Sequence, residues 1–96
     1  MPSAYLIVLY NEIGDPRGLD EYVALAGPVL EKAGGTVVAK GIPARSYEAG
    51  RADLSVLVRF DSVEAAVAMY ESAEYRKALN ALGELNIRDV RILAGI

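Results

Sequence analysis

The feature that most constrains this chain is the run Ala4-Tyr5-Leu6-Ile7-Val8-Leu9-Tyr10, which is apolar at every position. It is rich in β-branched and aromatic residues and reads as a strand. Side chains alternate between the faces of a strand, so Tyr5, Ile7 and Leu9 point one way and Leu6, Val8 and Tyr10 the other. Both sets are apolar, and a strand of this kind must be covered on both faces.

The remaining pattern says what covers one of them. Asp15-Pro16 looks like an N-cap followed by proline at the first helical position. Leu19, Tyr22, Val23, Ala26, Val29, Leu30 and Ala33 then recur at steps of three and four, which predicts a helix. Gly27-Pro28 is expected to weaken or kink it, and Gly34-Gly35 to end it. Residues 36–40 read as a second strand, interrupted by Gly41-Ile42-Pro43, with 44–48 as a possible edge continuation. A hairpin-like loop over 49–53 leads to a third strand over 54–60. Asp61 and Glu64 have capping-box spacing before a second helix, and Ser72 is expected to cap a further helical segment. Residues 88–94 read as the last strand.

The order is βαββαβ over 1–96, one α+β domain of the ferredoxin-like type, with a four-stranded antiparallel sheet and its helices on one face. A sheet of this kind usually leaves its other face to water. Here strand one is apolar on that face too, and the opposite face of strand three is mixed, carrying Ser55, Leu57 and Arg59. A second copy packed sheet to sheet, in a symmetric dimer, supplies the missing cover. The alternative is a central strand with some residual exposure.

Composition removes many functions. Apolar residues make up 53% of the 96 and the net charge is −3, with no basic block, so nucleic-acid and basic-helix membrane binding are not expected. Cys and His are absent, which removes thiolate nucleophiles, zinc–thiolate sites and the commonest general base. No Asp/Glu spacing resembles a calcium loop, so no metal and no cofactor is expected. The first apolar run has no positive charge ahead of it and is too short to span a bilayer, so a cytoplasmic location is expected.

Several segments resemble the domain-of-unknown-function 1330 family. They are strand one, Asp15-Pro16, the helix with Glu21-Tyr22, Gly34-Gly35, and above all Val67-Ala68-Met69-Tyr70-Glu71-Ser72-Ala73-Glu74-Tyr75. The last is similar to a family helix ending in Tyr and followed by Ser-Pro-Glu-Tyr. Ala73 replaces the usual Pro, Glu71 a frequent His or Arg, and Ala94-Gly95 a common Glu-Gly. The resemblance implies a dimeric α/β barrel of two ferredoxin-like domains. Its wider superfamily contains cofactor-free monooxygenases, haem-degrading enzymes, isomerases, lactonases and ligand-binding modules, so fold alone transfers no activity.

The candidate site residues follow from these placements. Arg59, mid-strand on the partner-facing side, either anchors a ligand carboxylate or pairs with Glu48 or Asp61. Tyr5 and Tyr10 offer hydroxyls on opposite faces, or simply core rings, and Tyr47 lies on an edge. Tyr70, Glu71, Ser72, Glu74 and Tyr75 form either a pocket rim or a helix cap. Asn11, Glu12 and Asp15 follow strand one, and Arg45, Glu48 and Arg51 form a charged hairpin. The expected function is a homodimer that binds or transforms a small, partly apolar, anionic metabolite between sheet and helices. The alternative is a non-catalytic ligand-binding or scaffolding dimer.

Overall fold

A computed structural model describes residues 2–96. The elements are β1 (Ala4–Ile13), α1 (Pro16–Lys32), β2 (Thr36–Gly41), β3 (Ser55–Phe60), α2 (Val63–Tyr70), α3 (Ala73–Leu82) and β4 (Asn86–Ala94). The strands form one antiparallel sheet in the order β2-β3-β1-β4. This is the ferredoxin-like arrangement, with the apolar β1 at the centre.

Leu6, Val8 and Tyr10 of β1 are buried beneath the helices, together with Val58 and Phe60 of β3. Tyr75, Phe60, Leu6 and Val58 are the largest fully buried side chains. Tyr5, Ile7 and Leu9 lie on the opposite, open face, each half-buried by its neighbours in the sheet. The register sets Tyr5 between Arg59 and Leu93, and Ile7 between Leu57 and Arg91. Leu93 is 59% exposed there.

Asp15 caps α1 by accepting from the Gly18 amide at 3.1 Å, with Pro16 in the first turn. The helix runs continuously through Gly27-Pro28. Proline removes one intrahelical hydrogen bond, to the carbonyl four residues back. Ala24 and Pro28 are both exposed, so water can take that carbonyl and the helix is not broken. Gly34 follows the helix at φ +84°, a conformation that costs glycine little.

Four expectations from the sequence need correction. β1 continues through Asn11 and Glu12 to Ile13, with a bulge opposite β4 between Tyr10 and Glu12. Residues 44–48 form no strand, because Gly41 at φ +145° and Pro43 take the chain off the sheet edge. The cap of α2 is Ser62 rather than Asp61: its hydroxyl accepts from the Ala65 amide at 3.0 Å. Glu64 therefore sits too early to close a capping box, though it still favours the positive helix start. Finally, β4 begins at Asn86, two residues before Arg88.

Asn86 accounts for that early start. It is buried, its Oδ1 accepts from the Asp15 amide at 3.0 Å, and its Nδ2 donates to the carbonyls of Asp15 and Leu82 at 2.8 Å each. One side chain thus ties the start of α1 and the end of α3 to β4. Gly18 completes the junction. A Cβ there would lie 2.8 Å from the Leu82 carbonyl oxygen, so only glycine lets the two helices approach this closely.

Candidate functional site

A cavity of about 350 Å³ lies between α1 and the inner face of the sheet. Leu6, Val8, Val56 and Val58 form its floor, and Leu19, Val23, Ala26 and Leu30 its roof. Lys40 and Asp20 stand at its edge, both exposed. Tyr10, Tyr22 and Arg88 complete the wall. The volume and the mainly apolar lining with few polar groups suit a small organic ligand.

Arg88 is the unusual member. Period-two alternation along β4 puts it on the inner face with Val90 and Ile92, and the register sets it directly across from Tyr10. Its guanidinium carbon lies 5.6 Å from the centre of the Tyr10 ring and 4.7 Å from that of Tyr22, cation–π distances in both cases. Nη2 donates to the Tyr75 hydroxyl at 3.4 Å. Nη1 is buried and has no hydrogen-bond partner. Among the described residues no carboxylate pairs with this arginine. Aromatic faces and a hydroxyl hold the cation in place, and none of them neutralises it.

The hydroxyl comes from a second buried contact. Tyr22 on α1 and Tyr75 on α3 meet oxygen to oxygen at 2.5 Å, with ring planes near perpendicular. Tyr75 is fixed at the start of α3, where the Ser72 hydroxyl accepts from its amide at 3.1 Å and donates to the Met69 carbonyl at 2.7 Å. The Asn86–Gly18 junction holds the two helices at the separation this contact needs. Burial, reinforced by Tyr75, raises the Tyr22 pKa far above the ordinary tyrosine value. Burial also raises that of Tyr10, against the opposing pull of Arg88. Both phenols stay neutral at physiological pH. For Arg88, burial disfavours the charge and ionisation of Tyr22 and Tyr75 would favour it, and its pKa is raised on balance, so it stays a cation. Arg88 therefore stands as a cation beside the neutral phenols of Tyr10 and Tyr22.

Of the residues singled out in the sequence, Tyr10 and Tyr75 meet in this cluster, and Tyr70 packs on Tyr75 with ring centres 5.0 Å apart. Ser72 acts as the helix cap, while Glu71 and Glu74 lie exposed, Glu74 in a surface ion pair with Lys32. Tyr5 and Arg59 lie across the sheet on the open face. Arg59 is exposed and forms no ion pair among the described residues, with Glu48, Asp61 or any other carboxylate. Glu12 is exposed, the Asn11 carbonyl accepts from Arg51, and Arg51 pairs with Asp53 at 2.8 Å. Arg45 donates to the Ala44 carbonyl at 3.1 Å, and Tyr47 is exposed beyond it. No group of three or more Asp, Glu, His or Cys converges among the described residues. Among the described residues no helix is long and apolar enough to cross a membrane.

Arg88, Tyr22 and Asn86 do not stand out in the sequence as site residues. Alternation with Val90 and Ile92 carries the signal for Arg88. The partner of Tyr22 is 53 residues away, and nothing local announces it.

Residues 3–96 match the sequence profile of a family described as Domain of unknown function (DUF1330). No curated protein matches the chain. Among solved structures it is similar to a protein of unknown function from Rhodopseudomonas palustris, at 20% identity and a TM-score of 0.74, over 99% of this chain and 83% of that one. It is also similar to SnoaB, a cofactor-independent oxygenase from Streptomyces nogalater, at 11% identity and a TM-score of 0.67, over 100% and 95%. A third is a dimeric ferredoxin-like protein of unknown function from Jannaschia sp. CCS1, at 18% identity and a TM-score of 0.63, over 95% and 97%. At these identities the likeness is one of fold.

Proposed function

The chain belongs to the DUF1330 family, a domain of unknown function, and from that premise we propose that it is a homodimer whose cavity under α1 binds a small, partly apolar organic anion. The observation that carries the reading is Arg88, a half-buried arginine lining an apolar cavity and paired with no carboxylate among the described residues. A charge partly withdrawn from water without a counter-charge is unfavourable. A fold keeps such a group when something else supplies the counter-charge. The cavity leaves room for that partner, and its floor and roof would cover an apolar body.

The self-pairing half rests on the open face. Tyr5, Ile7 and Leu9 run along its middle, flanked by Leu57 and by the exposed Leu93. An apolar strip of this kind, bordered by Arg59 and Arg91, suits an interface. The similar structure from Jannaschia sp. CCS1 is described as dimeric, which supports self-association.

Calorimetric titration with benzoate, cyclohexanecarboxylate and the neutral isostere benzamide tests the cavity. One carboxylate bound per chain and no benzamide is the expected result. Equal binding of benzamide, or binding of none of the three, contradicts the reading. Size-exclusion with light scattering should give twice the 10.3 kDa protomer mass. A monomer at micromolar concentration contradicts the interface.

A further inference from the structure

Resting on the reading of the cavity as an anion site, the strand register fixes the shape of the ligand that the site would take. The inner face of the sheet presents three cross-strand rows to the cavity. Val37, Val58 and Leu6 pair across the first, and Lys40, Val56 and Val8 across the second. Tyr10 and Arg88 pair across the third. A bulge between Val37 and Ala39 brings Lys40 onto the same face as Val37. Successive rows are two residues apart, so the first and third are separated by about 13 Å along the strands. The first row is wholly apolar. The second has one cation at its outer end, and the third holds the arginine. Lys40 is exposed, so water meets its charge and it makes no demand of its own on a ligand.

The helix above repeats this gradient. Near its start Tyr22 meets Arg88 on the third row, and just past its end a Cβ on Gly35 would lie 2.9 Å from the Phe60 ring, beyond the first row. From Val23 to Leu30 the side of α1 that lines the cavity is apolar. Gly27 lies about 7.5 Å along the axis from Tyr22. A Cβ there would meet nothing within 4 Å. Glycine eases the helical backbone ahead of Pro28, and it also leaves the roof open midway along the apolar stretch. We infer that the ligand is an elongated amphiphilic acid, a medium-chain carboxylate. Its head lies at the Arg88 end and its tail runs along α1, beneath Gly27, towards Leu30 and Val37. A lone ring would leave the first row uncovered. The reverse orientation would set the charged head against aliphatic side chains, which is costly.

Butanoate, hexanoate and octanoate, titrated calorimetrically beside benzoate into the wild type and Val37→Asp, test this. In the wild type, affinity should rise about threefold for each added methylene, most of what burying one contributes. Val37 is exposed, so the substitution sets a charge at the tail end of the cavity without opening the core. It should weaken octanoate by about tenfold and change butanoate and benzoate by less than about twofold. In the wild type, the Leu30 methyl resonances should shift with octanoate and not with butanoate. Binding of none of the four acids overturns the cavity reading itself. Benzoate bound while alkanoate affinity stays flat with chain length overturns the elongated ligand alone. A Val37→Asp loss as large for butanoate as for octanoate does the same. So do Leu30 methyls that stay in place with octanoate bound, a result that needs no variant to fold.

Discussion

Replacing Arg88 by Met should make the empty protein more stable while removing its ligand. Half-burying a guanidinium costs less than taking it wholly out of water, and the sealed, unpartnered Nη1 adds about 1–3 kcal/mol. The ring contacts at 5.6 and 4.7 Å return about 0.5–2 kcal/mol each. The hydrogen bond to Tyr75, at 3.4 Å, is long and returns less than about 1 kcal/mol. The balance leaves the arginine about 1 kcal/mol unfavourable. Met fills similar space, packs its thioether against the same rings and leaves no donor unpaired. Urea denaturation of both proteins at one protomer concentration measures the difference, since dimer stability depends on concentration. An increase of about 1 kcal/mol is expected, with the melting temperature about 4–8 °C higher. Saturating benzoate should stabilise the wild type alone. If Arg88→Met is instead destabilised by 2 kcal/mol or more, as an order of magnitude for a lost structural ion contact, the arginine is a core support and the argument from its missing partner fails.

Gly18→Ala places a methyl 2.8 Å from both the Leu82 carbonyl oxygen and Asp15 Oδ2. It should cost about 1–3 kcal/mol, as overpacking does, and by parting α1 from α3 it should weaken benzoate binding as well. Denaturation and titration of the one variant check both effects. The pKa values of Tyr10 and Tyr22 are raised from 10.0 by burial, so the folded state holds those protons more tightly than the unfolded chain. Stability should therefore be insensitive to tyrosine ionisation below pH 10, and fall as the pH rises above it. Absorbance titration of tyrosinate beside a denaturation series from pH 8 upward would show this, and two ordinary titrations for these residues would refute it. Ile7→Asp puts a charge in the middle of the open face, opposite Leu57. It should halve the mass seen by light scattering and leave the helical circular dichroism intact.

Much of the fold is legible in the sequence because local rules and tertiary needs agree. The two apolar faces of β1, the three-and-four spacing in α1, the cap at Ser72 and the stop at Gly34 each have a local cause. The cap of α2 misleads because Asp61 and Ser62 are both good caps, and only the backbone turn decides between them. The site is less legible. Arg59 draws attention as a cation in mid-strand, and its face follows correctly from alternation, yet that face is not the one beneath the helices. Arg88 looks like the polar start of a strand. Asn86 extends β4 by two residues and brings Arg88 inside, and Asn86 itself is held by nearby Leu82 and by Asp15, 71 residues away in sequence. The Tyr22–Tyr75 pair shows in the sequence only as two apolar-stripe positions on separate helices. Long-range polar contacts have no periodicity, so the residues they place are the ones the pattern hides.

The central claim is that the half-buried Arg88 beneath the helices, and not the exposed Arg59, receives the ligand. Side-chain nitrogen resonances of the arginines, followed by NMR during a benzoate titration, test it directly. The Arg88 guanidinium signals should shift and saturate with one benzoate per chain while those of Arg59 stay in place. Arg59 shifting while Arg88 does not, or neither moving, would contradict it.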